Sequence, residues 1–249
     1  AEGWGHLVDG ADAIVNLVGE SLAAGRWTED RKRRIRDSRV LGGEAVVEAV
    51  RSAANKPKVV VQSSAIGYYG PRGDEKITEE EAAGSDFASQ VCVDWEASTA
   101  PIDAMGIRRP IIRTAVVFSN DAVALKRMLL PFRFFVGGAI GGGNQWLPWI
   151  HIDDEVAAIR FLMEHPEATG PFNLCAPDVV TNRDFARTAG KVLGRPSVFP
   201  VPGAALRAAF GEMSTVLLDG QRAVPHRLLD AGYTFRFPKL EVALQDLVG

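Results

Sequence analysis

Three stretches of the chain are short, nearly uninterrupted apolar runs: "AIVNLVG" from Ala13, "PKVVVQSS" from Pro57 and "PIIRTAVVF" from Pro110. Val and Ile without polar alternation predict strands buried on both faces, as in a parallel sheet. Between the first two runs, residues 29–54 carry Ile35, Val40, Val46, Val47 and Val50 in a helical stretch; residues 86–105 predict a second helix before the third run. Alternation of strand and helix on this scale predicts a doubly wound α/β domain.

Beyond Phe118 the rhythm changes. A helix over 122–130 runs into "PFRFFVGGAIGGGNQWLPWIHIDD", whose glycines and aromatics predict an irregular, pocket-like connection. Asp153 or Asp154 is placed to cap a helix running to His165, and "GPFNLCAP" predicts a last short strand. In "TNRDFARTAGKVLGRP", Thr181 and Asp184 have the spacing of a cap pair, while Gly194 and Pro196 stop the helix. From Pro200 onward the pattern predicts short helices, a strand over "YTFRF" and a terminal helix over 240–248. The expected fold is therefore α/β: a doubly wound parallel sheet over 1–175, then a small α+β C-terminal lobe over 176–249. The glycine cluster at 137–143 neither follows a clear strand nor opens a helix, so it reads as a turn rather than a phosphate loop.

Composition narrows the partners. With 47% hydrophobic residues, 24% charged and a net charge of −3, the totals give no electrostatic reason to expect a nucleic acid or a membrane surface. The basic run "RKRRIRDSR" reads as a solvated helix face, with phosphate binding by part of it as the other reading. Cys92 and Cys175 lie far apart without metal-ligand spacing, so no metal site and no disulfide is expected. No apolar run approaches the roughly 18 to 20 residues of a membrane span. A reducing, cytoplasmic setting is the expectation. The chain opens without a methionine and reaches a strand signal almost at once, which leads us to expect further chain upstream.

Several stretches together, "NLVGE", "SSAIGYYGPRGDE", "DFASQVCVDWEA", "LLPFRFFVGGAIGGGNQWLPWIHIDD", "GPFNLCAPDVVTNRDFA" and "GQRAVPHRLLDAGYTFRFP", resemble the epimerase-like atypical branch of the extended short-chain dehydrogenase/reductases. The resemblance spans essentially the entire chain. It implies an NAD(P)-binding Rossmann domain, with NADP favoured and NAD as the alternative, and an unidentified small-molecule substrate; a homodimer is one assembly open to the chain, which the sequence does not decide. It also implies a glycine-rich turn and two βα units, roughly 60 residues, ahead of the strand that opens this chain.

In that superfamily a serine orients the substrate, a tyrosine exchanges a proton, a lysine lowers the tyrosine's pKa and an asparagine completes a relay. The resemblance puts Ser64, or its neighbour Ser63, at the serine position. With Glu96 matched to the acid four residues after the lysine, Cys92 takes the lysine position and Ala88 the tyrosine position; Arg39 falls at the asparagine position. Three of the four catalytic side chains are thus replaced. Arg39, and on the same helix Arg34, could supply fixed positive charge to the cofactor. Leu17, Val18, Gly19 and Val117 end strands where dinucleotides lie, so they are expected to line it.

Tyr68 and its neighbour Tyr69, both expected at the rim, and His151 in "PWIHIDD" are the candidates to carry the proton, although His151 also reads as a histidine holding its loop. Trp27, Gln145 and Trp146 read either as substrate-pocket lining or as lobe packing. Cys92 has three readings: a buried small hydrophobe, a cofactor-pocket wall, or a reactive thiol. The last is the weakest, because Asp94 and Glu96 rather than a cation lie near it in sequence. The expected function is an NADP-binding oxidoreductase or epimerase lacking the Tyr-x-x-x-Lys pair. The alternative is a non-catalytic NADP(H)-sensing module that regulates a protein partner.

Overall fold

The computed structural model describes residues 3–248. Its strands in chain order are β1 (Ala13–Asn16), β2 (Val59–Ala65), β3 (Lys76–Ile77), β4 (Pro110–Thr114), β5 (Val116–Phe118), β6 (Trp146–Leu147), β7 (Trp149–His151), β8 (Gly170–Leu174), β9 (Val180–Thr181) and β10 (Arg222–Ala223). The main sheet is β1-β2-β4-β8, parallel throughout. The remaining strands form two-stranded pairs: β3 with β10, β5 with β7, and β6 with β9. The helices are α1 (Glu29–Ser52), α2 (Phe87–Ser98), α3 (Val123–Arg133), α4 (Ile152–Glu164), α5 (Asn182–Leu193), α6 (Gly203–Phe210), α7 (Thr215–Leu218), α8 (His226–Asp230) and α9 (Leu240–Val248).

Strand alternation divides β2 between two cores. Val60 points toward Val46 and Val50 of α1, whereas Val59 and Val61 pack with Ala158 and Leu162 of α4. This two-sided covering is why the strand carries an unbroken apolar run. On one side α1 and α2 pack closely: a Cβ on Gly43 would collide with the Ser98 hydroxyl, so glycine at this point sets the approach of the helices. A further cluster joins Phe118, Leu129 and Trp149 to Phe185, Phe237, Leu240 and Leu244, so α5 and α9 share a core with residues preceding position 175.

Four local expectations are corrected. The run "PIIRTAVVF" is two strands rather than one: Ala115 N–H still donates to Leu174 O, but Val116 N–H turns to Pro148 O, and the chain changes partner from β8 to β7. The second helix ends at Ser98 and continues as a 3-10 turn over Ala100–Met105, opened by a proline in its first turn. His151, not an aspartate, caps α4: its Nδ1 accepts from Asp153 N–H at 3.1 Å. Asp154 is engaged elsewhere, accepting from Arg236 N–H, Phe237 N–H and the Tyr233 hydroxyl. Those bonds also explain why "YTFRF" forms no strand, since part of its backbone is satisfied by a carboxylate instead of a ladder. By contrast, the Thr181–Asp184 pair forms a full capping box and Gly194 closes α5 in the left-handed conformation at φ +62°. Such a cap stabilises a helix by about 1 kcal/mol.

Candidate functional site

The carboxyl ends of β1, β2 and β4 lie side by side, and the residues that follow them form the site. After β1 the chain leaves Leu17 and Val18 exposed, 59% and 47% accessible. Gly19 comes next, and a Cβ there would stand 3.0 Å from the Arg39 guanidinium carbon. Arg39 itself is buried on α1, with its guanidinium 4.8 Å from the Trp95 ring centre and Nη1 donating to Glu20 O and Ile35 O. Burial lowers its pKa from the ordinary guanidinium value. Among the described residues it has no carboxylate within ion-pairing distance; Glu20 is engaged by Arg31 at 3.3 Å and Arg34 at 3.5 Å. Arg34 is largely exposed and held by that contact.

Beneath the end of β2 lies a polar cluster. Ser64 has the parity of Val60 and faces the α2 side, where its hydroxyl donates to Glu96 Oε1 at 2.6 Å. Ser63 has the parity of Val61 and faces α4. Arg113 lies beside Ser64 across the sheet and grips Glu96 with Nε at 2.9 Å and Nη2 at 3.0 Å. Its Nη1 reaches the Tyr69 hydroxyl, which in turn donates to Asn173 Oδ1 at 2.7 Å. Burial works against the Arg113 charge, but the hydrogen bonds and charge of Glu96 outweigh it and hold the guanidinium above its ordinary value. Tyr69 is pushed up to about 12, chiefly by burial.

Tyr68 sits on this cluster. Its ring lies 3.4 Å from the Arg113 guanidinium carbon and edge-on to Tyr69, and the residue is partly exposed. Cys92 lies below, buried; burial and the Glu96 charge push its thiol up to about 12, against hydrogen bonds from Ser64 and Ala65. At neutral pH it is a thiol without nucleophilic character. Ala88 packs near Gly67 on one side and belongs to an apolar cluster of Trp27, Ile35, Val91, Met213, Phe87 and Phe210 on the other. Methionine and phenylalanine from the C-terminal lobe thus cover the turn of α2 where a proton-transferring tyrosine was expected to be replaced.

The structure brings together Ser64, Cys92 and Tyr68, with Arg39 and Gly19 nearby through Trp95 and α1. His151 is placed elsewhere: it is buried, stacked on Phe237 at 3.8 Å, with Nε2 3.3 Å from Asp246 Oδ2 of α9. Val117 packs in the α4-side core. Trp27 is a core residue whose Nε1 donates to Leu22 O. Gln145 donates to Ile140 O and Leu217 O, and Trp146 donates to Asp74 Oδ1, so both tie the lobe to the loops beneath it. Among the described residues no cluster of His, Cys, Asp and Glu has metal-binding geometry.

Sequence reasoning missed Arg113, Asn173 and Glu79, and it put Tyr69 at the rim, where the structure buries it completely. Glu79 Oε1 accepts from Asn173 N–H and Arg227 N–H. The signal was available: an arginine and an asparagine inside runs predicted to be buried on both faces require internal partners. Glu155 was missed too. It accepts from the Thr114 hydroxyl at 2.8 Å, its other oxygen is buried without a partner, and burial raises its pKa to about 7.

Comparison with known proteins agrees with this architecture. The family described as "NAD dependent epimerase/dehydratase family" matches residues 4–175, and a domain of unknown function, DUF1731, matches 201–247. An epimerase family protein of Staphylococcus haemolyticus is 40% identical over 99% of this chain and 83% of its own length. The crystal structure of human epimerase family protein SDR39U1 (isoform 2) with NADPH superposes with a TM-score of 0.91 at 35% identity, covering 98% of this chain and 85% of that one. A nucleoside-diphosphate sugar epimerase from Corynebacterium glutamicum gives a TM-score of 0.80 at 32% identity, covering 98% of this chain and 48% of that one. By sequence and by fold, the chain belongs to the NAD dependent epimerase/dehydratase family.

Proposed function

We propose that the chain binds NADP(H) along the carboxyl edge of β1 and β2 and acts with it on a small-molecule carbonyl or hydroxyl beneath the C-terminal lobe. The observation that carries this reading is the edge itself. Exposed Leu17 and Val18, a glycine whose missing Cβ leaves the backbone open, and a buried cation with no carboxylate partner fit a dinucleotide better than they fit water. The NADPH in the human relative's structure supports NADP(H) rather than NAD.

NADPH, when bound, supplies a hydride to a carbonyl carbon, whose oxygen then needs a proton. The backbone of Leu17–Gly19 and the Arg39 guanidinium would hold the cofactor. Tyr68 is assigned the proton: it is the partly exposed phenol above the cluster, and Arg113 fixes the ring from below. Glu96 aligns Arg113, and Ser64 braces Glu96 instead of reaching the substrate. Ala88 cannot carry a proton, and the Cys92 thiol is held neutral and buried. A second reading, a cofactor-sensing module without turnover, is favoured by the commitment of the Ser64 hydroxyl to Glu96.

NADPH fluorescence titration followed by a hydride-exchange screen separates the two. Enzymatic function predicts that Tyr68→Phe binds NADPH as tightly as the parent and loses hydride transfer by about 10² to 10⁴. The sensing reading predicts no turnover in either protein and a partner affinity that differs between NADP and NADPH. Failure of the parent protein to bind either dinucleotide would remove both readings.

A further inference from the structure

The net charge of −3 conceals a strong segregation. Residues 122–152 and 185–211 contain no aspartate or glutamate. In the fold these two segments are paired: Phe199 N–H donates to Gly137 O, Val201 N–H to Ala139 O, and Gly141 N–H to Val201 O. Along this seam Leu130, Phe134, Phe135, Val136, Val198 and Phe199 are all about half exposed or more, with Phe134 at 69% and Val198 at 72%. Phe135 is the one described non-glycine residue at positive φ, +61°. A bulky side chain rarely adopts that conformation, and here its ring stands 53% exposed.

The charged groups of the same segments are cations. Lys126, Arg187 and Lys191 are paired with Asp121, Asp184 and Glu241. Among the described residues, Arg133, Arg195 and Arg207 have no carboxylate within ion-pairing distance, and Arg195 lies 4.3 Å from the Phe135 ring centre. Beside the seam, α6 has the sequence GAALRAAF and buries none of its residues.

We infer that this face docks peripherally on a membrane surface of anionic lipid. Projecting aromatic and aliphatic side chains suit the boundary between headgroups and acyl chains, and unpaired arginines suit anionic headgroups. A second copy of the chain is the poorer occupant, because a two-fold interface would set the same unpaired arginines, Arg133, Arg195 and Arg207, against themselves. This revises the sequence-based expectation of no membrane partner, which rested on total charge. No membrane-spanning segment is involved: no described helix is long and apolar enough to cross a bilayer.

The test is co-sedimentation of the whole chain with vesicles of phosphatidylcholine alone and of phosphatidylcholine with phosphatidylglycerol. Binding should be at least tenfold stronger to the anionic vesicles and should weaken in high salt. Each arginine near the surface contributes on the order of fivefold, so Arg195→Glu with Arg207→Glu should lower binding by more than tenfold. Phe134→Ser with Val198→Ser should lower it comparably while leaving the circular dichroism spectrum unchanged, since both positions are exposed. Equal binding to both vesicle types, no binding by folded parent protein, or indifference to both double variants overturns the inference. So does a concentration-dependent dimer that the Phe134→Ser, Val198→Ser variant abolishes, which would assign the face to a second copy.

Discussion

Two glutamates lie under the same sheet edge on opposite faces, and the fold treats them oppositely. Glu96, on the α2 side, is held by both arms of the Arg113 guanidinium and by the Ser64 hydroxyl. Glu155, on the α4 side, has one hydroxyl donor and a second oxygen buried without a partner. Both stand next to a buried cysteine: Glu96 raises the Cys92 thiol, and Glu155 adds to the rise at Cys175. The contrast shows what a partner decides. A paired carboxylate can remain charged in the interior as part of a rigid cluster, whereas a lone one is driven toward its neutral form.

The largest effect should come from breaking the paired side. Glu96→Ala leaves Arg113, 4% exposed, as an uncompensated buried charge, at a cost of about 3 to 5 kcal/mol. Urea denaturation measures it. A loss below about 1 kcal/mol would mean that water compensates Arg113, and that the cluster does not brace Tyr68.

The unpaired side should show itself through pH. The Glu155 carboxyl titrates near 4.5 when exposed and near 7 in the fold. Below 4.5 both folded and unfolded chains keep the proton, so the contribution is complete. Between 4.5 and 7 the unfolded chain ionises first, and about 3 kcal/mol of stability is lost, with no further change above 7. Glu155→Gln should lack that part of the decline. Melting curves of the two proteins at pH 4.5, 6 and 8 compare them directly, and parallel pH profiles would contradict the assignment.

The smallest effect belongs to the cysteine between the two sides of α2. Cys92→Ala should lower stability by on the order of 1 kcal/mol, the transfer free energy of a small apolar group, and should leave NADPH affinity unchanged. In the native protein at pH 8 the thiol should resist iodoacetamide, and it should react after denaturation. Rapid native alkylation would reopen the reactive-thiol reading.

How far the sequence foretold this arrangement differs by level. The apolar runs, the α5 capping box and the terminal helix were legible, because each depends on neighbours within a few residues. The break at Ala115 was not, since it is made by a change of partner from Leu174 to Pro148. His151 was legible as a polar residue at a junction, but its stacking on Phe237 arises from a contact across the chain. The Arg113 cluster was half legible: a charge in a doubly buried strand announced a need for partners, while their identities came from four different elements. The resemblance alone, read from one stretch, put Ala88 and Cys92 at the tyrosine and lysine positions of α2. The apolar cover that Met213 and Phe210 place over Ala88 required the fold.

A crystal structure of the protein with NADPH examines the site directly, through the identity of the protein hydroxyl nearest nicotinamide C4. The predicted result is Tyr68, with Arg39 in contact with the cofactor, Ser64 still bonded to Glu96 and Cys92 still buried. A nicotinamide ring lodged away from Tyr68, or a Ser64 hydroxyl released from Glu96 and turned to C4, would contradict it.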